Sequence, residues 1–157
     1  MTVFNVSTST ELQSALTTAQ DNGSDDVIQI AQGTYSGNFL YVSTEDNNLS
    51  ILGGYSANFS SREIDSSNTI LDGGGTNRVL TLMSTTALCD YEIEGLTVQN
   101  GDSLDEMGGG IAIRALGDVS ISSNHIVNNI GGWAGGGVFI VTDLWATYEK
   151  TSSVELN

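Results

Sequence analysis

The apolar positions along this chain follow two periods in turn. Val3 to Val6 alternate as a short strand does, and Leu12, Ala15, Leu16 and Ala19 then fall at i, i+3, i+4 and i+7, the spacing of one helical face. Thr8-Ser9-Thr10-Glu11 is a capping box in front of that face, and Gly23 is a left-handed stop behind it, so the pattern predicts a helix over Thr8–Asn22. From Asp26 the period changes to two. Val27-Ile28-Gln29-Ile30, Phe39-Leu40-Tyr41-Val42, Leu49-Ser50-Ile51-Leu52, Thr69-Ile70-Leu71, Val79-Leu80-Thr81-Leu82 and Tyr91-Glu92-Ile93-Glu94 read as short strands between glycine, asparagine and serine corners. Ser56 to Ser67 reads as a surface excursion.

Within this pattern lies a repeat. Gly108-Gly109-Gly110-Ile111-Ala112-Ile113 returns as Gly135-Gly136-Gly137-Val138-Phe139-Ile140, 27 residues on, and each copy follows a strand that ends in asparagine. A period of this size means supersecondary units that bury a continuous core only when stacked. Two-residue hairpin signals, which a flat sandwich needs, are confined to Asn100-Gly101, so three short strands per turn explain the period better. The expected fold is all-β: a right-handed parallel β-helix, or solenoid, with an N-terminal capping α-helix. One domain spans 1–157, with 1–26 as strand and cap, 27–157 as coils, and a truncated C-terminal end.

Composition changes the picture in three ways. A formal net charge of −15 repels phosphate backbones, which excludes nucleic acid as a partner. No apolar run approaches the length of a membrane span. The lone Cys89 forbids an intrachain disulfide.

The lead-in over Leu12 to Ala19 with Val27 to Gly37 resembles the cap and first coil of the pectate-lyase-like right-handed parallel β-helix superfamily. Ile51-Leu52-Gly53-Gly54-Tyr55, Thr69-Ile70-Leu71-Asp72-Gly73, Ile93 to Gly101 and the two triple-glycine repeats are similar to the polymorphic-outer-membrane-protein type of repeat. That resemblance implies a piece of a large bacterial secreted or cell-surface protein. It further implies a non-catalytic, adhesin-like or stalk-like scaffold, with polysaccharide or cell-surface glycan as partner. Two alternatives stand beside it: the N-terminal part of a polysaccharide lyase, hydrolase or epimerase, and a homo-oligomer formed through the open C-terminal coil.

The candidate metal ligands are Asp102, Asp105 and Glu106, hard oxygen donors on one short loop that suit Ca²⁺ or merely a solvated acidic surface. Asp90, Glu92 and Glu94 alternate, so they are expected to share an outward face and repel one another. Asn100 and Asn129 are expected to turn inward as a ladder, and the triple glycines to make tight corners of positive φ. Arg62, Arg78, Arg114 and Lys150 are scattered, His125 sits in a repeat strand, and no catalytic set is legible. Trp133, Trp145 and Tyr148 are the aromatics placed to stack on a sugar ring or to pack.

Overall fold

The computed structural model describes residues 1–86, 88–104, 106–142 and 154–156. It is built mostly of strands with one helix. β1 (Thr2–Val6) leads to α1 (Ser9–Ala19), and then strands follow one another without another helix among the described residues. They are β2 (Asp26–Ala31), β3 (Gly33–Ser36), β4 (Phe39–Ser43), β5 (Leu49–Tyr55), β6 (Thr69–Asp72), β7 (Leu80–Ser84) and β8 (Tyr91–Glu94). β9 (Thr97–Gln99), β10 (Ile111–Ala115), β11 (Val119–Ser122), β12 (His125–Val127), β13 (Val138–Thr142) and β14 (Val154–Leu156) complete the series.

The strands form three sheets, ordered β1-β2-β5-β8-β11-β14, β13-β10-β7-β4 and β12-β9-β6-β3, and every strand pair within them is parallel. From β2 onward each circuit of three strands visits the three sheets in turn, and the next circuit lies against it. Register lines up the inward side chains. Ile28, Ile51, Ile93 and Ile121 make one column, Tyr35, Leu71, Val98 and Ile126 a second, Phe39, Leu80, Ile111 and Val138 a third, and Tyr41, Leu82, Ile113 and Ile140 a fourth. Nearly all of these residues are buried in one core; Ile126, Val138 and Ile140, at the β12–β13 end, are only half-buried. Burial of each such aliphatic side chain contributes about 1.5–3 kcal/mol.

At the other end α1 covers the core. Leu12, Ala15, Leu16 and Ala19 are all buried, as their spacing predicts, and the Thr8 capping box forms with Glu11. The helix ends earlier than expected, with Gln20 as its C-cap; Gly23, at φ +72°, belongs to the turn beyond. Gln13 also shields a strand edge. Its Nε2 donates to the Leu40 carbonyl and its Oε1 accepts from the Leu40 N–H, both at 2.9 Å, so one side-chain amide replaces the strand that β4 lacks on this side.

The corners are held by side-chain amides and carboxylates reaching from one circuit to the next. Asp25 Oδ1 accepts from Asn48 N–H at 2.8 Å, Asn48 Oδ1 from Asp90 N–H at 3.0 Å, and Asp90 Oδ1 from Asp118 N–H at 2.7 Å. Asn124 spans Ile93 C=O and Leu96 N–H, and Asn129 spans Val98 C=O and Gly101 N–H, at 2.8–2.9 Å. The asparagine ladder therefore differs from expectation. Register pairs Gln99 with Val127, which sets Asn100 against Asn128 rather than Asn129. Those two asparagines occupy left-handed corners at φ +53° and +54°, and the Asn100 side chain turns to Asp72. Gln99, Gly74 N–H and Asn100 hold the Asp72 carboxyl below the usual range.

Replacing Asn129 by Ala strands the buried Gly101 N–H and takes a second donor from Val98 C=O, which should cost about 1–3 kcal/mol. Urea unfolding is expected to move to a lower midpoint with an unchanged slope; an unchanged midpoint would remove Asn129 from the set of structural residues.

Candidate functional site

A concavity lies outside the core, against the outward face of β7, β10 and β13. Because side chains alternate along a strand, Thr81 and Met83, Ala112 and Arg114, and Phe139 and Val141 turn outward where their neighbours fill the core. Together they floor a groove of about 560 Å³ walled by Arg78, Glu106, Met107 and Trp133. The lining is mainly apolar. Trp133 is 80% exposed.

The walls depend on one arginine. Arg78 donates from Nε to Gly108 C=O at 2.8 Å and from Nη2 to Met107 C=O at 2.7 Å, and the same nitrogen pairs with Glu106 Oε2 at 2.8 Å. The Glu106 side chain is 73% exposed, so this ion pair is worth no more than about 1 kcal/mol and the two carbonyl bonds do most of the fastening. The Trp133 corner hangs on that loop in turn: Gly132 N–H donates to Glu106 C=O at 2.8 Å and Gly108 N–H to Ala134 C=O at 3.2 Å. Arg78 is thus a positioning residue for Trp133 through two successive loops.

The triple glycines make this stacking possible, by two means. The first of each triplet, Gly108 at φ +72° and Gly135 at +58°, takes the left-handed corner. Gly109 and Gly110 have ordinary φ; a Cβ on Gly109 would run into the Ile130 carbonyl, and one on Gly110 would approach Gly137 C=O and the Asn129 amide. The expected tight, positive-φ corner is made by the first member of each triplet, and the close packing of circuits expected there is seen at Gly109 and Gly110.

The predicted metal loop divides among three fates. Asp102 Oδ1 accepts from Leu104 N–H at 2.8 Å, Glu106 is engaged by Arg78, and Asp105 lies outside the described residues. Among the described residues no group of three His, Cys, Asp or Glu is placed to hold a metal ion. The alternating acids are also separated by partners. Asp90 caps Asp118 N–H, Ser50 Oγ donates to Glu92 at 2.7 Å, and Glu94 pairs with Arg62 at 2.7 Å, while Arg62 stacks 5.5 Å from the Tyr55 ring. His125 is exposed on β12; Trp145, Tyr148 and Lys150 lie outside the described residues.

No protein-family model matches this chain, and neither a curated protein nor a solved structure matches it.

A second cluster lies inside. The buried Cys89 thiol adjoins Tyr41 and Tyr91, whose rings meet edge to face with centroids 6.0 Å apart. Cys89 Sγ is 3.8 Å from Asp90 C=O, and the Tyr91 hydroxyl, fully buried, has no hydrogen-bond partner among the described residues. Burial raises the thiol to about 11 and Tyr35 to about 12, and it pushes Tyr41 and Tyr91 above the ordinary phenol range. Such a thiol is a poor nucleophile.

Each of these groups keeps its proton when folded at a pH where the unfolded chain has released it. Their contribution is complete below pH ~8.5, the ordinary thiol value, and drains away as pH rises through the folded-state values. The melting temperature should therefore fall steadily from pH 8.5 to 11. At pH 8 a thiol reagent should label Cys89 only after urea is added, and rapid labelling of the native chain would contradict this burial.

Proposed function

We propose that this chain is a module of a right-handed parallel β-helix from a bacterial secreted or cell-surface protein, acting as a non-catalytic, adhesin-like scaffold that binds a glycan in its lateral groove. The observation that carries the reading is the exposed Trp133 indole, held over the apolar floor of the groove by the Arg78-fastened loops. Parallel circuits support the solenoid, because strands that return in parallel to the same sheet do so by right-handed crossovers in about 98% of known cases. The resemblance of the cap and repeat motifs to the pectate-lyase-like superfamily points the same way.

Binding is favoured over catalysis by the charges at the groove. Glu106 is the one carboxylate among its described lining residues, and Arg78 already neutralises it, whereas glycoside chemistry uses two carboxylates with separate tasks. A pyranose ring needs less: one flat apolar face to stack on, with hydrogen-bonding groups at its edge. Trp133 and Phe139 supply the first, and Arg114, Thr81 and Glu106 border the site.

Calorimetric titration with a panel of neutral and uronic-acid oligosaccharides tests the reading. At least one is expected to bind, and Trp133→Ala should weaken it by about tenfold or more, a loss of ~1.4 kcal/mol, with no change in melting temperature. Binding that survives Trp133→Ala would move the site elsewhere. The appearance of new reducing ends or unsaturated sugars would overturn the non-catalytic assignment.

A further inference from the structure

We infer that two copies of this chain pair through the free edge of β1, antiparallel and about a two-fold axis at Phe4, joining their six-stranded sheets into one. The inference starts from the difference between two strand edges at the helix-capped end. On β4 the Leu40 N–H and C=O are both taken by Gln13. On β1 no described residue plays that part. β1 pairs only with β2, and Thr2 N–H donates to Asp25 C=O at 2.8 Å. In a parallel ladder alternate residues face the same neighbour, so Thr2, Phe4 and Val6 turn their main-chain groups to β2 while Val3 and Asn5 turn theirs away.

The usual protections of such an edge are missing. Natural edges carry a lysine, a proline or a bulge, whereas Met1–Ser7 has none of these and no charged side chain, and Val3 is 48% exposed. In a chain of net charge −15 most faces repel a second copy, and an uncharged strand is where two copies approach at least electrostatic cost. Space is present as well. A groove of about 380 Å³ runs between β1 and α1, bordered on the helix by Thr10, Glu11, Ser14, Ala15 and Thr18, with the Glu11 carboxylate already held by the Ser7 and Thr8 N–H groups.

A second β1 fits this edge because the arrangement is self-complementary. With Phe4 on the axis, Val3 of one copy faces Asn5 of the other, and the two pairs exchange about four main-chain hydrogen bonds in all. Such an interface is closed and stops at two copies.

Light scattering behind size exclusion, over a series rising to about 100 µM chain, tests this directly, since pairing is driven by mass action. The mass should rise from 16.5 kDa towards twice that value. Val3→Pro and Asn5→Pro each delete only an outward N–H and leave the β2 ladder whole, so both variants should stay monomeric with an unchanged melting temperature. Amide exchange on the unaltered chain gives an independent reading: Val3 and Asn5 should exchange about tenfold more slowly at the top of the series than at the bottom. A chain that stays monomeric throughout overturns the inference. So does a dimer that persists in both proline variants, which would place the contact at another surface such as the β12–β13 end.

Discussion

Parallel register is the constraint on which the rest of this structure depends. A strand in one circuit contributes to the core only if its inward residues stand directly over those of the circuit beneath, because a slip of one residue turns the whole apolar set outward. The four isoleucines at 28, 51, 93 and 121 show the outcome: identical side chains in identical pleats, each filling the space above the last. No single circuit encloses a core. The apolar driving force is therefore shared between neighbours, and the terminal circuits are the weakest, with α1 covering one end while Ile126, Val138 and Ile140 remain half-buried at the other.

Register fixes the corners too. Where strands bend from one sheet to the next, main-chain groups lose their ladder partners, and the side chain one circuit away is at the right height to replace them. Asp25, Asn48 and Asp90 do this in succession along one corner, the last capping Asp118 N–H, and Asn124 and Asn129 do it at the two ends of β12. Carboxylates in that column are brought close to one another in a chain that is already strongly acidic. Each donated N–H compensates part of the repulsion, which gives several acidic residues a structural task that composition alone would assign to solubility.

Much of this was legible beforehand, and the misses have physical causes. The capping box and the Leu12-Ala15-Leu16-Ala19 stripe are local signals, and the helix formed where they lie. Alternation located the strands because one face of each is buried. The asparagine ladder was misjudged by one residue, since Asn128 and Asn129 are equivalent in type and only the Gln99–Val127 pairing tells them apart. The groove was missed because its members lie on β7, β10, β13 and two loops, and no spacing connects them. A signal did exist in β13: Val138-Phe139-Ile140-Val141 is apolar on both faces, which a strand with one solvated face does not require.

The groove and the glycines have a common origin. Gly109 and Gly110 let the corner backbones approach until a Cβ would collide with the next circuit, so no side chain of theirs can project from those positions. The walls must then come from residues on either side, and Met107 and Trp133 are those residues, set on loops that bond to each other and to Arg78. Substituting Arg78 leaves the columns of the core untouched, because its bonds go to a loop and to the outward Thr81 hydroxyl and none to a strand ladder. Its effect should appear in the placement of Trp133 and only weakly in global stability, which separates the stacked core, fixed by register, from the groove walls, fixed by one side chain.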